Sequence, residues 1–303
     1  MLGIALTIIA AFWFGFSSVA FRRGVVSASA LQGLYLTLLP GVPVFWLAAL
    51  VSGQAFNLSE LASSDYVLLA AAGLVHFIVG RYSVFRAYAI LGVTRASPVI
   101  VSSVLVSVGF AVLFLGESID LLVGVGIALV LLGPGLAAST ARRRQPSPIR
   151  GATDIDTATL VRGYLWAVLT AFAWGTSPVL IREAMSDSGL GLLGGAISYS
   201  TAGIVLLLVF LTPGQLGGLR ALGGQARTWF ALGAVAILAA QMFRYLALSY
   251  AEVTIVVPLL RGGTVFSIIF SYIFNRRLES FDRRVLAGVA ISLVGSLALV
   301  IDL

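Results

Sequence analysis

The sequence of 303 residues has no cysteine and no lysine, a single histidine and few charges of either sign. Each shortage removes a class of protein. Without cysteine there is neither a disulfide framework nor a thiolate metal site. One histidine, His76, cannot build a multi-histidine metal site. Charged residues make up 10% of the chain, whereas soluble domains carry roughly a quarter. That is too little to coat a water-soluble core of this length. Acidic residues are missing from the depths of the apolar stretches. The glycine cluster Gly191–Gly195 lies within an apolar stretch and lacks the Gly-Lys-Ser/Thr ending of a nucleotide-binding loop. No basic, acid-poor presequence and no A-x-A cleavage site marks a removable signal peptide.

What remains is overwhelmingly apolar. Hydrophobic residues account for 59% of the chain, so most of its surface must be solvated by lipid. Ten stretches are long and apolar enough to predict spanning helices. They are Leu2–Phe21, Ala28–Ser52, Tyr66–Leu91, Ala96–Leu115, Leu121–Ala141, Gly163–Ile181, Gly189–Leu211, Trp229–Tyr250, Val253–Asn275 and Val285–Ile301. Their length and unbroken hydrophobicity favour helices, because the strands of a membrane barrel alternate over about ten residues. The expected fold is an all-α integral membrane protein. The polar stretch Arg142–Arg162 reads as a linker, which divides the chain into residues 1–141 and 163–303.

The two parts resemble each other. Phe12, Gly15, Ser17, Val19 and Arg22 recur 160 residues later as Phe172, Gly175, Ser177, Val179 and Arg182. At the same offset Val93, Thr94 and Pro98 match Val253, Thr254 and Pro258. After a two-residue insertion Glu117, Gly126 and Gly133 match Glu279, Gly288 and Gly295. An ordered series at a nearly constant offset predicts duplication. Five spans in each half is an odd number, so the halves must be inverted, giving ten transmembrane helices as two inverted five-helix repeats.

The arginines set the orientation. All 19 basic residues are arginine, and in the loops they sit almost entirely on one side. The side holding both termini has only Arg182, and the other side has fourteen. A basic balance in loops between apolar spans is a topology signal rather than a nucleic-acid surface. The positive-inside rule places both termini outside the cytoplasm, in a multi-pass protein of a bacterial-type inner membrane.

The opening of each half carries a signature. Phe14-Gly15-Phe16-Ser17-Ser18-Val19 and Trp174-Gly175-Thr176-Ser177-Pro178-Val179 resemble the aromatic-Gly-x-Ser/Asn element of EamA-type transporters, in the drug/metabolite transporter superfamily. Ala96–Glu117 and Thr254–Glu279 resemble the family's fourth and ninth helices, and the glycines of Val123–Gly133 and Gly288–Gly295 its fifth and tenth. Phe14 stands where the family usually has Trp, and Arg277 lies near Glu279. The resemblance implies inverted repeats around a central cavity lined by helices one, three, four and their mates. It also implies transport of small metabolites, often amino acids or related compounds.

Charges inside apolar spans cost about 2.5–3.5 kcal/mol each on insertion scales, so each is a functional candidate. Arg81, Arg86, Arg244 and Arg261 qualify. Arg81 lies ten residues before Leu91, about 15 Å from that end, beyond the reach of a snorkelling arm. Arg86 is near enough to snorkel. Arg244 and Arg261 suit either a substrate site or a structural network with Glu252. Gln241 matches Arg81 at the 160-residue offset, which would bring both to the cavity from opposite halves. His76 is either a proton carrier or a neutral group bonded to a backbone carbonyl. Trp13, Trp174, Tyr82 and Tyr245 are candidate aromatic walls, or ordinary packing. Pro98 and Pro258 break equivalent spans and, with Gly15 and Gly175, are candidate hinge positions. Glu117 and Glu279 read as end caps. Gly288, Ser292 and Gly295 read as close-packing positions.

The mainly cationic embedded charge suits an anionic or carboxylate-bearing solute moved by alternating access, through proton coupling, facilitated exchange or efflux. The expected partners are that small-molecule substrate and membrane lipids, without nucleic acid and without a cofactor. A receptor or scramblase-like protein is the alternative. An intramembrane enzyme has little to build on here, lacking paired deep carboxylates, cysteine and a second histidine.

Overall fold

The computed structural model describes residues 1–24, 30–91, 96, 99–129, 131–132, 157–212, 223–274, 287–288, 290–291, 294–295 and 298. Every regular element among them is helical. Residues 2–24 form α1 (Leu2–Gly24). The second expected span is divided into α2 (Ala30–Leu38) and α3 (Gly41–Val51). The division falls at Pro40, whose ring and missing N–H interrupt the ladder. The third begins as α4 (Ser63–Gly73), where the Asp65 carboxylate accepts the Ala62 N–H at 2.8 Å. It passes through a π-helical segment, Leu74–Gly80, into α5 (Arg81–Leu91). The fourth contributes α6 (Ser103–Leu115).

In the second half α7 (Thr157–Met185) starts within the stretch expected as linker. Its first turn, Thr157–Leu160, contains neither glycine nor proline, so nothing stops the helix there. It is followed by α8 (Gly191–Phe210), α9 (Gly224–Tyr250), α10 (Val253–Arg261) and α11 (Gly263–Phe274). Seven spans among the described residues are long and apolar enough to cross a membrane, and Val99–Leu115 is a shorter apolar helix. These correspond to the expected spans one to four and six to nine. Of the fifth, residues 121–129 are helical. Most of the tenth, and with it Ser292, lies outside the described residues, as do Pro98, Gly133, Glu279 and most of the linker.

In lipid there is little hydrophobic drive between helices, so close packing at small residues holds them together. The two signature glycines do this in the same way. A Cβ on Gly15 of α1 would fall 2.6 Å from Phe266 Cβ and 2.9 Å from the Gly263 carbonyl oxygen of α11. A Cβ on Gly175 of α7 would fall 2.5 Å from Val106 Cβ and 2.9 Å from the Ser103 carbonyl oxygen of α6. Ser267 Oγ donates to the Gly15 carbonyl at 3.4 Å, and Ser107 Oγ donates to the Gly175 carbonyl at 2.8 Å. Every partner in one crossing stands 160 residues from its counterpart in the other. Helix neighbours follow the same rule: α1 packs on α9 and α11, and α7 packs on the third span and α6.

The fourth and ninth spans break at matched positions. Ser102 (φ −61°, ψ −9°) precedes α6, and Gly262 (φ −57°, ψ −15°) separates α10 from α11. Both breaks come four residues after the paired prolines Pro98 and Pro258. Pro258 itself lies inside α10, so the helix tolerates the ring and gives way one turn later.

One end of the molecule gathers the connections. A Cβ on Gly3 would meet Ala251 Cβ at 2.5 Å, which places the chain's start beside the turn between α9 and α10. The Gln54 side-chain oxygen accepts the N–H groups of Leu192 and Leu193, at 2.9 and 3.1 Å, and caps α8. Gly116 adopts φ +68°, a left-handed turn that glycine makes without strain. The next residue, Glu117, accepts the N–H groups of Val253 and Thr254 at 2.9 and 2.8 Å. Glu117 therefore caps α10, a helix of the other half. The cap is favourable because a carboxylate meets the positive end of the helix dipole. The turns after the second, fourth, sixth and eighth spans thus share the end that holds the N-terminus, as an alternating path of spans requires.

Candidate functional site

The π-helical segment of the third span carries His76 and Phe77 and delivers Arg81 at its close. A π-turn adds a residue to the turn and so changes which side chains face inward. Such turns are frequent at functional sites. Gly80 at the end of the segment leaves room for Trp174 of α7: a Cβ there would lie 2.5 Å from the indole Nε1. The indole Nε1–H donates to the His76 carbonyl oxygen at 3.2 Å, and the two rings stack at 5.9 Å.

His76 and three other side chains close a ring of hydrogen bonds. Arg244 of α9 donates from Nη1 to Gln241 Oε1 and from Nη2 to Ser177 Oγ, both at 3.0 Å. His76 Nδ1 lies 2.7 Å from Ser177 Oγ, and its Nε2 lies 3.3 Å from Gln241 Nε2. A guanidinium only donates, so Gln241 must turn its oxygen to Arg244 and its amide nitrogen to His76. His76 Nε2 then accepts and Nδ1 carries the proton, which makes the ring neutral. The bond runs to side chains and not to a backbone carbonyl. Gln241, Arg244 and Ser177 are at most 3% exposed.

Arg81 is also buried, and its Nη1 donates to Thr37 Oγ1 of α2 at 3.0 Å. Its guanidinium sits over the Phe77 ring at 5.2 Å, and that of Arg244 over Tyr245 at 5.6 Å. The Arg81, Arg244 and Arg261 charges all act on His76. Arg261, at the break after α10, donates to Ser103 Oγ at 2.5 Å, joining the two broken spans. Among the described residues no carboxylate faces Arg81 or Arg244; their partners are an alcohol, an amide and aromatic rings.

The structure thus brings together Arg81, His76, Trp174, Gln241, Arg244 and Tyr245, with Arg261 at the edge. It places others elsewhere. Tyr82 is 41% exposed and meets Trp166 edge-on at 5.8 Å. Trp13 packs edge-on against Phe12 and Phe16, away from the polar cluster. Gly15 and Gly175 lie inside the continuous helices α1 and α7, at their crossings. Pro98 lies outside the described residues. Glu252 does not join Arg244. It is exposed at the start of α10, and its carboxylate meets Thr254 Oγ1 at 3.4 Å. Eight residues carry a side chain about 12 Å along a helix, too far for that pair. Arg86 is exposed, as a snorkelling side chain would be.

Sequence reasoning missed Thr37 and Tyr199 and read Ser177 only as part of a repeat. Ser177 carried a usable signal, since a hydroxyl in the signature of both halves invites a polar role. Thr37 and Tyr199 carried none, because threonine and tyrosine are common in membrane spans.

No curated protein matches this chain. A solved structure described only as a protein crystal structure superposes with a TM-score of 0.74 at 15% identity, covering 99% of this chain and 97% of that one. At that identity the likeness is one of fold alone. The model of the EamA-like transporter family matches residues 1–138 and again 161–301, nearly the whole chain in two passes. On that match, the chain belongs to the EamA-like transporter family, membrane transporters of small solutes.

Proposed function

We propose that this multi-pass protein is a secondary transporter that carries a small anionic solute, such as a carboxylate, by alternating access. In this reading residues 1–141 and 163–303 are two five-helix halves, inverted with respect to each other and joined by a basic linker. Two separate family matches and two equivalent glycine crossings support the duplication. The arginine-rich side faces the cytoplasm of a bacterial-type cell and the termini face outward.

One observation carries the choice of solute. Arg81 and Arg244 are buried within membrane spans, and their partners among the described residues are all uncharged. An unpaired cation in such a place is costly and is retained where it meets a counter-charge. A transported anion supplies that counter-charge transiently. The spans that carry the two arginines belong to different halves, so an anion between them would sense the relative motion of both.

The test is uptake of labelled carboxylates, amino acids and organic cations into liposomes that hold the pure protein. Carboxylate uptake is expected. Arg244→Met should lower it about a hundredfold, the scale of a lost charge-assisted contact. Uptake restricted to cations, or carboxylate uptake undiminished in Arg244→Met, would overturn the reading.

A further inference from the structure

Four buried hydroxyls among the described residues need explaining: those of Tyr35, Ser83, Tyr199 and Tyr245. Each belongs to a side chain at most 2% exposed, and none has a hydrogen-bond partner. A buried hydroxyl without a partner is destabilising, so structures keep few of them. Two of the four, Tyr199 and Tyr245, stand among the arginines. The Tyr199 hydroxyl lies beside the Arg81 guanidinium without forming a bond of acceptable geometry. Tyr245 lies beneath the Arg244 guanidinium, with its hydroxyl near Ser198, the neighbour of Tyr199 on α8.

The rings that carry these hydroxyls are fixed. Phe45 stacks on Tyr199 at 4.5 Å and meets Tyr245 edge-on at 5.9 Å, so it separates and braces both. Phe77 supports Tyr199 from another side, at 4.3 Å, and also underlies Arg81. Neither hydroxyl is free to swing to a distant acceptor. The guanidinium beside the Tyr199 hydroxyl and the one over the Tyr245 ring have each spent only part of their donor set: Arg81 has one side-chain acceptor and Arg244 two, of the five N–H groups that each possesses. The balance is two buried cations and two idle hydroxyl donors, with no acidic acceptor facing them among the described residues.

Resting on the anionic reading above, we infer that the solute is a small organic dianion held at two points, one acid group by Arg81 with Tyr199 and the other by Arg244 with Tyr245. Charge fixes the valence. A monoanion neutralises one guanidinium and leaves the other buried and unpaired, whereas a dianion neutralises both. Hydrogen bonding fixes the kind of group. Each arginine–tyrosine pair can donate guanidinium N–H groups and a phenol O–H together, which suits the several lone pairs of a carboxylate or a phosphate monoester. Tyr199 and Tyr245 are then the residues that determine specificity. Their hydroxyls, which have no partner among the described residues, are engaged by the bound solute.

The experiment measures binding to the purified full chain at constant ionic strength. The probes are dicarboxylates from malonate to adipate, each dicarboxylate's monoamide, and glycerol phosphate as the phosphate counterpart. At least one diacid, or the phosphate monoester, should bind about tenfold or more tightly than any monoamide. Tyr199→Phe and Tyr245→Phe should each weaken that probe about tenfold, the scale of one hydrogen bond to a charged acceptor. The same variants should leave the melting temperature of the unliganded protein unchanged or raised, because no native bond is lost. A purely structural tyrosine would show the reverse, a lower melting temperature and unchanged affinity. Tyr35→Phe, whose hydroxyl is not beside an arginine, should alter neither. Monoamides that bind as tightly as diacids, with binding lost in Arg244→Met, would overturn the dianion and leave the anion carrier standing. Failure of every anion to bind would overturn both.

Discussion

The glycine crossings and the polar cluster obey opposite rules. At the crossings, residues 160 apart make equivalent contacts: Gly15 with α11 and Gly175 with α6, each carbonyl taking the hydroxyl of a serine, Ser267 or Ser107. In the cluster the repeat is broken. Arg244 and His76 stand where the other half has Val84 and Ala236. Ser177 accepts from Arg244 and bonds His76, while its counterpart Ser17 only donates to the Phe14 carbonyl of its own helix, at 2.9 Å. A duplicated scaffold can keep its symmetry because packing at a crossing depends on shape, which both halves share. The solute of the proposed carrier has no such symmetry, so under that proposal the side chains that meet it are free to diverge.

That contrast can be attacked at three strengths. The largest effect is expected at the crossings. Gly15→Val and Gly175→Val each force side-chain carbons into backbone and Cβ atoms already at contact, so each should destabilise by about 3 kcal/mol. Thermal unfolding in detergent should show the two losses to be similar; tolerance of one and not the other would mean that the crossings are not equivalent. A middle effect is expected at the signature serines. Ser177→Ala leaves an Arg244 N–H and His76 Nδ1 without their acceptor and should cost about 2 kcal/mol. Ser17→Ala should cost less than about 1 kcal/mol, because it removes only a local bond within a helix. Equal losses in that pair would erase the asymmetry claimed for the cluster. The smallest effect is expected for Ser107→Ala and Ser267→Ala, at about 0.6 kcal/mol apiece, the average for side-chain bonds between membrane helices. A clear difference between those two would show that the shorter bond, to Gly175, bears more of its crossing.

Much of the scaffold could be read from the chain itself, because a span is a long-wavelength property. About 20 apolar residues average out local errors, and the spans from Leu2 to Phe274 fall close to their expected places. Breaks were less legible. Pro98 and Pro258 signalled them, but the helices give way at Ser102 and Gly262, one turn downstream. The π-turn at Leu74–Gly80 had no visible signal, since Leu-Val-His-Phe-Ile-Val-Gly has the composition of any membrane helix. The site was half legible for a similar reason. Charge inside an apolar run is conspicuous, so Arg81, Arg244 and Arg261 stood out. The face on which a side chain lies is not conspicuous. Successive residues diverge by about 100° around a helix, and Tyr82 accordingly points to the surface while Arg81 points inward. Thr37, Ser177 and Tyr199 are ordinary residues in ordinary spans, made important only by what folding sets opposite them.

Glu117 makes the end of one half hold the beginning of a helix in the other, through both of its oxygens. Such a clasp has two teeth on a single stem. Splaying this end of the molecule by a small amount lengthens both bonds at once, and each is strengthened by the full charge on the carboxylate. Slight splaying at this end is therefore opposed by two charge-assisted bonds at once, and removal of the one carboxylate would release both together.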